Sequence, residues 1–498
     1  MTRALRFTSV FLIFALLQIP FLKADADRSL SSGRATYTDE GLYSAQVRNA
    51  ITSSHFSLDE SDGVIKAPLF AGANWVFARY FGDSMVTART CMVLATTLLL
   101  ALIASGSSVF ARTVWIAVPL VFFSYYPFNY AHLDMAEFLC CLLILVSVGA
   151  TEARLRGSSR WAIAGGALAS ACAYAVKIQY LYVAGIAPLA FLIAIGFRHL
   201  SGLPIGRRQW GDVGYAALLA TIFGALFGCI WVLPYHELFL RVLTTQLGER
   251  VATTLSTVLL HSLRVILEPG RIWPTFALFF MGVYIITRQW RETTGLKIGR
   301  EDWIASIAPL AAWLVLESHD LKLSYLPSRY LLSMYLALGM FGAVGLALIS
   351  RSALKSMPRT ISMIIAGTVV LVLSFNIIFY VDALYHRQYA LYNAQSAFRE
   401  SGNWRGKVVL GPWAAALFWG TGAITRPVWA GYFNDKDILN SQHPSAIVTE
   451  PDQQDSQMAF AHDGIQLPGT PNRTFRVGPW TVELFEVALG TSGRSFRQ

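Results

Sequence analysis

The chain has 498 residues, 54% of them hydrophobic and only 14% charged, with a mean hydropathy of +0.47. Soluble domains carry about a quarter charged residues, so this composition excludes a single small globular domain, a coiled coil and a disordered chain, and it describes a polytopic membrane protein. Forty Lys and Arg against 30 Asp and Glu leave a net charge of +10. In a soluble protein that excess would suggest nucleic acid, whereas in a membrane protein the sorting of basic residues to the cytoplasmic side is the first explanation.

In chain order, apolar runs occur at residues 7–22, 85–110, 112–128, 133–150, 161–176, 180–197, 213–234, 272–287, 303–316, 329–350 and 360–381. At roughly 20 residues per bilayer crossing these predict about eleven transmembrane helices within residues 1–382. Basic residues fall in alternate linkers: Arg3 and Arg6, Arg112, Arg154 to Arg160, Arg198 to Arg208, Arg288 to Arg300, and Arg351 to Arg359. Threading the spans in order puts all of these on one side, so the positive-inside rule sets the N-terminus inside and the C-terminus outside. Residues 23–84, 126–132, 235–271, 317–328 and the tail 383–498 then lie outside. An alternative makes residues 1–26 a signal peptide with a small-residue cleavage site at Ala24-Asp-Ala26; a retained first span is favoured by the residues that follow it.

The tail predicts a small mixed α/β domain. Strands are expected at 407–410 and 446–449, a helix start at 413–418, and a hairpin of 474–477 with 481–487 around Gly478-Pro479. All five cysteines lie in apolar stretches, so no disulfide framework is expected. Gly224-x-x-x-Gly228 is a helix-packing signal.

The chemistry concentrates in three short clusters. Thr36-Tyr-Thr-Asp-Glu-Gly-Leu-Tyr43 carries two adjacent carboxylates, Asp39 and Glu40, at the start of an amphipathic helix, where an acid also favours the positive helix end. Lys66 follows, and then Arg89 inside the second apolar run, a costly position unless it faces a polar cavity or an anion. His132-Leu-Asp-Met-Ala-Glu137 puts Asp134 and Glu137 on one helix face at the lipid boundary, and a cation held by His132, Asp134 and Glu137 is conceivable. The turn from Glu317 to Tyr330 brings His319, Lys322 and Arg329, and an arginine grips phosphate bidentately. In loop 235–271, Arg241, Arg250, His261, Arg264 and Arg271 receive no individual role. No P-loop, Rossmann fingerprint or HExxH pattern is present.

These pieces, in this order, resemble the GT-C superfamily of integral-membrane glycosyltransferases, in the branch similar to protein O-mannosyltransferases and the lipid A aminoarabinose transferase. The resemblance rests on Asp39-Glu40 after the first span, Lys66-x-Pro68-Leu69, Gly82 and Arg89, Asp134, and Arg329-Tyr330-Leu331-Leu332 opening a late span. Where the family usually has Lys-Pro-Pro, this chain has Lys66-Ala67-Pro68, and Leu-Leu-Ser-Met follows Arg329-Tyr330 where a proline is common, so the donor and acceptor stay open. The resemblance implies a donor sugar on a polyprenyl phosphate, an inverting transfer on the outer face, and Asp39 as the catalytic aspartate, expected to accept the acceptor hydroxyl proton as general base. Glu40 and Asp134 are the expected supporting carboxylates. Lys66, Arg89, His319, Lys322 and Arg329 are the candidate phosphate-binding groups, with no obligatory metal or other cofactor. The expected partners are the lipid-linked donor and a cell-envelope acceptor, and Asp39, Asp134, Lys66 and Arg329 should converge on one outward cavity. The rival reading is a transporter of lipid-linked intermediates, in which such charges would be gates.

Overall fold

The computed structural model describes residues 2–487 apart from 31–33, 55, 247–253, 255, 257–258, 261–270, 293–296, 324–326, 350–356, 430–437, 452–453, 466 and 468. Among these residues the chain is mostly helical. Helix α1 (Arg3–Gln18) is started by Thr2, whose hydroxyl accepts from Leu5 N–H, as an N-cap should. It is followed by α2 (Ala35–Ser53), α3 (Gly63–Lys66), α4 (Pro68–Phe81) and α5 (Met85–Ser105). Then come α6 (Val109–Ala117), α7 (Tyr125–Ala131), α8 (Ala136–Leu155), α9 (Trp161–Val176), α10 (Ile186–Leu200) and α11 (Arg207–Phe227). Later long helices are Trp273–Glu292, Lys297–Glu317, Ser328–Leu348 and Arg359–Tyr385.

A helix thus lies at each of the eleven apolar runs, but the runs and the helices do not correspond one to one. Among the described residues seven helices are long and apolar enough to cross a bilayer, or eight if a pair bent by 93° between Val109–Phe122 and Tyr125–Ala131 counts as one span. The bend has a local cause. Pro119 has no N–H to donate, the helix widens into a π turn over Val118–Phe122, and α7 starts afresh behind Ser124. The run 85–110 likewise splits at residues 106–108, where the Ser108 hydroxyl accepts from Ala111 N–H and begins α6.

Packing sorts the helices into a centre and a periphery. Ser328–Leu348 is buried over 83% of its apolar stretch, against 6% for Arg207–Val232. Close approach at the centre depends on glycine: a Cβ on Gly282 would lie 2.4 Å from the carbonyl oxygen of Phe341, the small-residue contact expected where no aqueous hydrophobic drive operates. Gly224 and Gly228, in contrast, meet nothing within 4 Å, so that motif packs no helix among the described residues.

The bundle has two chemically different ends. At the basic end Arg154 pairs with Asp212 through two 2.9 Å bonds, Arg198 lies 3.1 Å from Glu301, and Arg156 pairs with Glu152 and Asp302. These are the arginine-bearing linkers that the charge rule assigns to one side. The other end, called the loop end below, carries α2 to α4 and the tail.

The tail holds a five-stranded mixed sheet of β1 (Val408–Leu410), β2 (Ile424–Arg426), β3 (Ala446–Thr449), β4 (Arg473–Val477) and β5 (Trp480–Glu486), in the order β2-β1-β3-β5-β4. The pairs β1/β2 and β1/β3 are parallel, and the β4/β5 hairpin adds antiparallel. Its turn places Gly478 at φ +58°, a conformation that suits glycine. The expected strands and hairpin are present; β2, three residues long, carries too little alternation to be read from sequence.

Candidate active site at the loop end

Helix α2 is the element on which the site depends, and it is an unusual helix. Thr36, Thr38, Ser44, Gln46, Arg48 and Asn49 are all buried, because α2 is sandwiched between the membrane helices and the tail. The tail grips it through specific bonds. Asn49 donates to Thr425 O at 2.8 Å and accepts from Thr425 N–H at 2.9 Å, so its amide pairs with the β2 backbone like a neighbouring strand. Arg48 donates to Ala415 O at 2.6 Å and to Gly41 O at 3.2 Å. At Gly41 the backbones touch so closely that a Cβ would stand 2.6 Å from Ala415 C.

The adjacent acids Asp39 and Glu40 point to different neighbours. Glu40, 1% exposed, takes a bidentate bond from Arg89 at 2.9 and 2.6 Å and a third from Asp134 N–H at 2.6 Å. Arg89 spends its remaining nitrogen on the carbonyls of Phe21, Leu22 and Ala24. The expected catalytic Glu40 and phosphate-binding Arg89 are thus each occupied by partners within the protein. They form a buried knot that ties α2 and α5 to the end of α1. The same junction is held by Gln18, 3.0 Å from His132, and by Asp25, whose carboxylate accepts from Ala390 and Leu391 N–H at 2.9 Å each. Residues 18–25 are thus tied to the α7–α8 turn and the tail by these bonds.

Asp39 forms an ion pair with Arg329. Arg329 Nε lies 3.9 Å from Glu137 Oε1, and Glu137 accepts from Lys177 Nζ at 2.5 Å. The Lys177 ammonium lies 5.0 Å from the Tyr43 ring and 5.8 Å from that of Tyr330. The Tyr330 hydroxyl accepts from Gln179 at 3.3 Å. Asp39 and Arg329 are each 9% exposed, Lys177 1% and Glu137 0%. Two carboxylates and two cations therefore share one nearly dry space, where each charge depends on its partner. Spread over α2, α8, the α9–α10 turn and the helix Ser328–Leu348, this cluster is the candidate active site.

The other predicted residues are not brought into it. Asp134 is fully buried on the far side of Glu40, beside Asn74. Burial first and the Glu40 charge second push its pKa up to about 8, against the pull of Arg89 and Arg48. Burial thus favours its neutral form, and it packs behind Glu40. Lys66 pairs with Asp62 four residues earlier. His319 is exposed, with Nε2 3.3 Å from Asp320 and its ring 4.4 Å from that of Tyr182, and Lys322 is exposed on the same turn. The conceivable metal set also separates: His132 bonds Gln18, Asp134 lies behind Glu40, and Glu137 pairs with Lys177. Among the described residues no group of three or more His, Cys, Asp or Glu side chains is arranged to hold a metal. Arg250, His261 and Arg264 lie outside the described residues.

Sequence reasoning passed over Lys177, although a signal for it exists. It occupies the short turn between the apolar runs 161–176 and 180–197, at the loop end, where the positive-inside rule expects no cation. Glu317, on the turn cluster, is an internal acceptor: its Oε1 receives Tyr182 OH at 2.7 Å, Trp313 Nε1 at 3.0 Å and Ser333 Oγ at 2.6 Å.

No protein-family model and no curated protein sequence matches the chain. Among solved structures it is similar to ArnT from Cupriavidus metallidurans bound to undecaprenyl phosphate, with a TM-score of 0.60 and 12% identity over 98% of this chain and 99% of that one. It is similar also to the same protein in the apo state, with a TM-score of 0.58 and 13% identity over 97% and 98% of the two chains. The end-to-end match, the helical bundle and the small C-terminal sheet together mean that this chain shares the fold of these structures.

Proposed function

We propose that this protein is a membrane glycosyltransferase that moves a sugar from a polyprenyl-phosphate donor to a cell-envelope acceptor, a lipid, polysaccharide or protein, on the extracytoplasmic face of the plasma membrane. The observation that carries the reading is the buried pairing of Asp39 with Arg329 beside Glu137 and Lys177. The likeness to ArnT, which was solved with undecaprenyl phosphate, supports this donor class. The charge rule supports the outer face.

In the resting site the two cations are neutralised by the two carboxylates. A donor phosphate entering beside Arg329 and Lys177 competes for both and releases Asp39 to act as base. The acceptor hydroxyl oxygen then attacks the anomeric carbon while the bond from that carbon to the phosphate oxygen breaks. Asp39 takes the hydroxyl proton, and the bonding pair departs with the polyprenyl phosphate, whose growing charge Arg329 and Lys177 stabilise. One displacement inverts the anomeric centre. The cations are supplied by the protein, and the proposal calls on no metal.

The test uses purified protein with a panel of polyprenyl-phosphate sugars and measures polyprenyl phosphate released. Asp39→Asn should abolish release while the unfolding temperature stays within a few degrees of wild type. Normal turnover by that variant would remove Asp39 from the mechanism.

A further inference from the structure

A second cavity lies on the opposite side of α2. Tyr37 lines it, and residues two apart on an α-helix face away from each other, at about 200° of rotation, so the cavity and the Asp39 cluster are different sites. Its volume is about 640 Å³, within the roughly 300–1,000 Å³ typical of ligand pockets. The walls come from the end of α1, the outer ends of α7 and Arg359–Tyr385, and the β4/β5 turn.

The charges in its lining are not evenly available. Of the acids, Asp25 is spent on two backbone N–H groups, Asp382 lies 3.0 Å from His386, and Asp27 is also engaged. Arg387 and Arg271 are held in place with donors left over, and Arg28 is exposed. Arg387 gives Nε to Leu384 O and Nη1 to Pro20 O, Arg271 lies 4.4 Å from the Tyr125 ring, and Arg28 makes no side-chain bond among the described residues. The lining therefore offers three guanidinium groups alongside three carboxylates, of which Asp25 is turned to backbone N–H groups, and guanidinium donors match a phosphate.

The mouth identifies the source of that phosphate. Asp382 and His386 belong to the last turn of a helix whose Ile377, Ile378 and Val381 are 62%, 59% and 41% exposed, an apolar face turned toward lipid. Tyr385, 80% exposed, stands at the same level, where interfacial aromatics sit. The cavity thus opens where acyl chains give way to headgroups. We infer that it binds the phosphate of an anionic membrane lipid, as a site separate from the donor site. This inference stands whether or not the proposed transferase activity is correct.

The test is calorimetric titration of the full-length protein in uncharged detergent with dioctanoyl phosphatidic acid, dioctanoylglycerol and inorganic phosphate. Saturable binding of the phosphatidic acid is expected, with little or none for dioctanoylglycerol and far weaker binding of inorganic phosphate. It should weaken by about tenfold or more in Arg28→Gln/Arg387→Gln, since charge-assisted bonds are lost. It should weaken similarly in Ala383→Trp, which fills the cavity and removes no charge. Arg329→Gln, which disables the proposed donor site, should leave this binding intact. Equal binding of dioctanoylglycerol overturns the phosphate assignment, and equal binding of inorganic phosphate overturns the lipid. Loss of binding in Arg329→Gln with wild-type binding in the other two variants places the ligand at the donor site and overturns the second site.

Discussion

Gly41→Ala is the sharpest test of how Asp39 is positioned. The added methyl would stand 2.6 Å from Ala415 C, 2.6 Å from Ala416 N and 2.7 Å from Ala415 O. Those are backbone atoms that cannot rotate aside, and ordinary carbon contact needs about 3.5 Å. Helix α2 and the Ala414–Leu417 segment must therefore separate by roughly 0.9 Å, stretching the bonds from Arg48 to Gly41 O and Ala415 O. Overpacking of this kind costs about 1–3 kcal/mol, and a displacement near 1 Å at a catalytic group costs about 10²-fold in rate. Asp39 is two residues away on the same rigid helix. The expected outcome is a turnover loss of about 10²-fold with a modest fall in unfolding temperature, measured by release of polyprenyl phosphate and by thermal scanning. Gly72→Ala is the matched control: it also lies in a loop-end helix, its Cβ meets nothing within 4 Å, and it should leave both quantities unchanged or slightly raise stability. If Gly41→Ala turned over at the wild-type rate, the claim that the tail sets the position of α2 would be refuted.

Three further outcomes follow from the buried charges. Arg89→Met should destabilise by about 3–5 kcal/mol by leaving Glu40 charged and unpaired, and Arg89→Met/Glu40→Leu should regain much of that loss; a double variant no better than the single would show that the knot is not electrostatic. Asp134 has a folded-state pKa near 8, above its ordinary 3.8, so between these values the unfolded chain gives up its proton first and the folded state loses stability as pH rises. Asp134→Asn mimics the neutral acid, and its unfolding temperature relative to wild type should climb from pH 5 to pH 8; a pH-independent difference would contradict the assignment. Lys177→Met should lower turnover by about 10²–10³-fold, the usual effect of removing one group that stabilises developing charge, whereas a change confined to stability would make Lys177 purely structural.

Much of this protein was legible because the bilayer imposes one-dimensional rules. Apolar length locates helices, and arginine placement sorts the linkers into two ends. The pairing of Arg156 with Asp302 and of Arg198 with Glu301 at one end agrees with that sorting. The motif order also pointed to the GT-C fold. Local backbone chemistry was less visible, so Pro119 and Ser108 broke runs that read as continuous.

The site divided along a physical line. That Asp39 and Arg329 belong to the loop end follows from sequence, since Asp39 lies in the loop after the first apolar run and Arg329 opens a late one, both opposite the basic linkers. Which charge meets which could be decided only in three dimensions, because Glu40 and Asp39 differ by one residue, about 100° of helix rotation. That single step sends one acid to Arg89 and the other to Arg329. Lys177 reaches Glu137 across 40 residues, and Asn49 reaches Thr425 across 376. Pairings over such separations leave no periodicity in the chain, so composition and spacing determined the membrane frame and its polarity, and tertiary packing chose the partners.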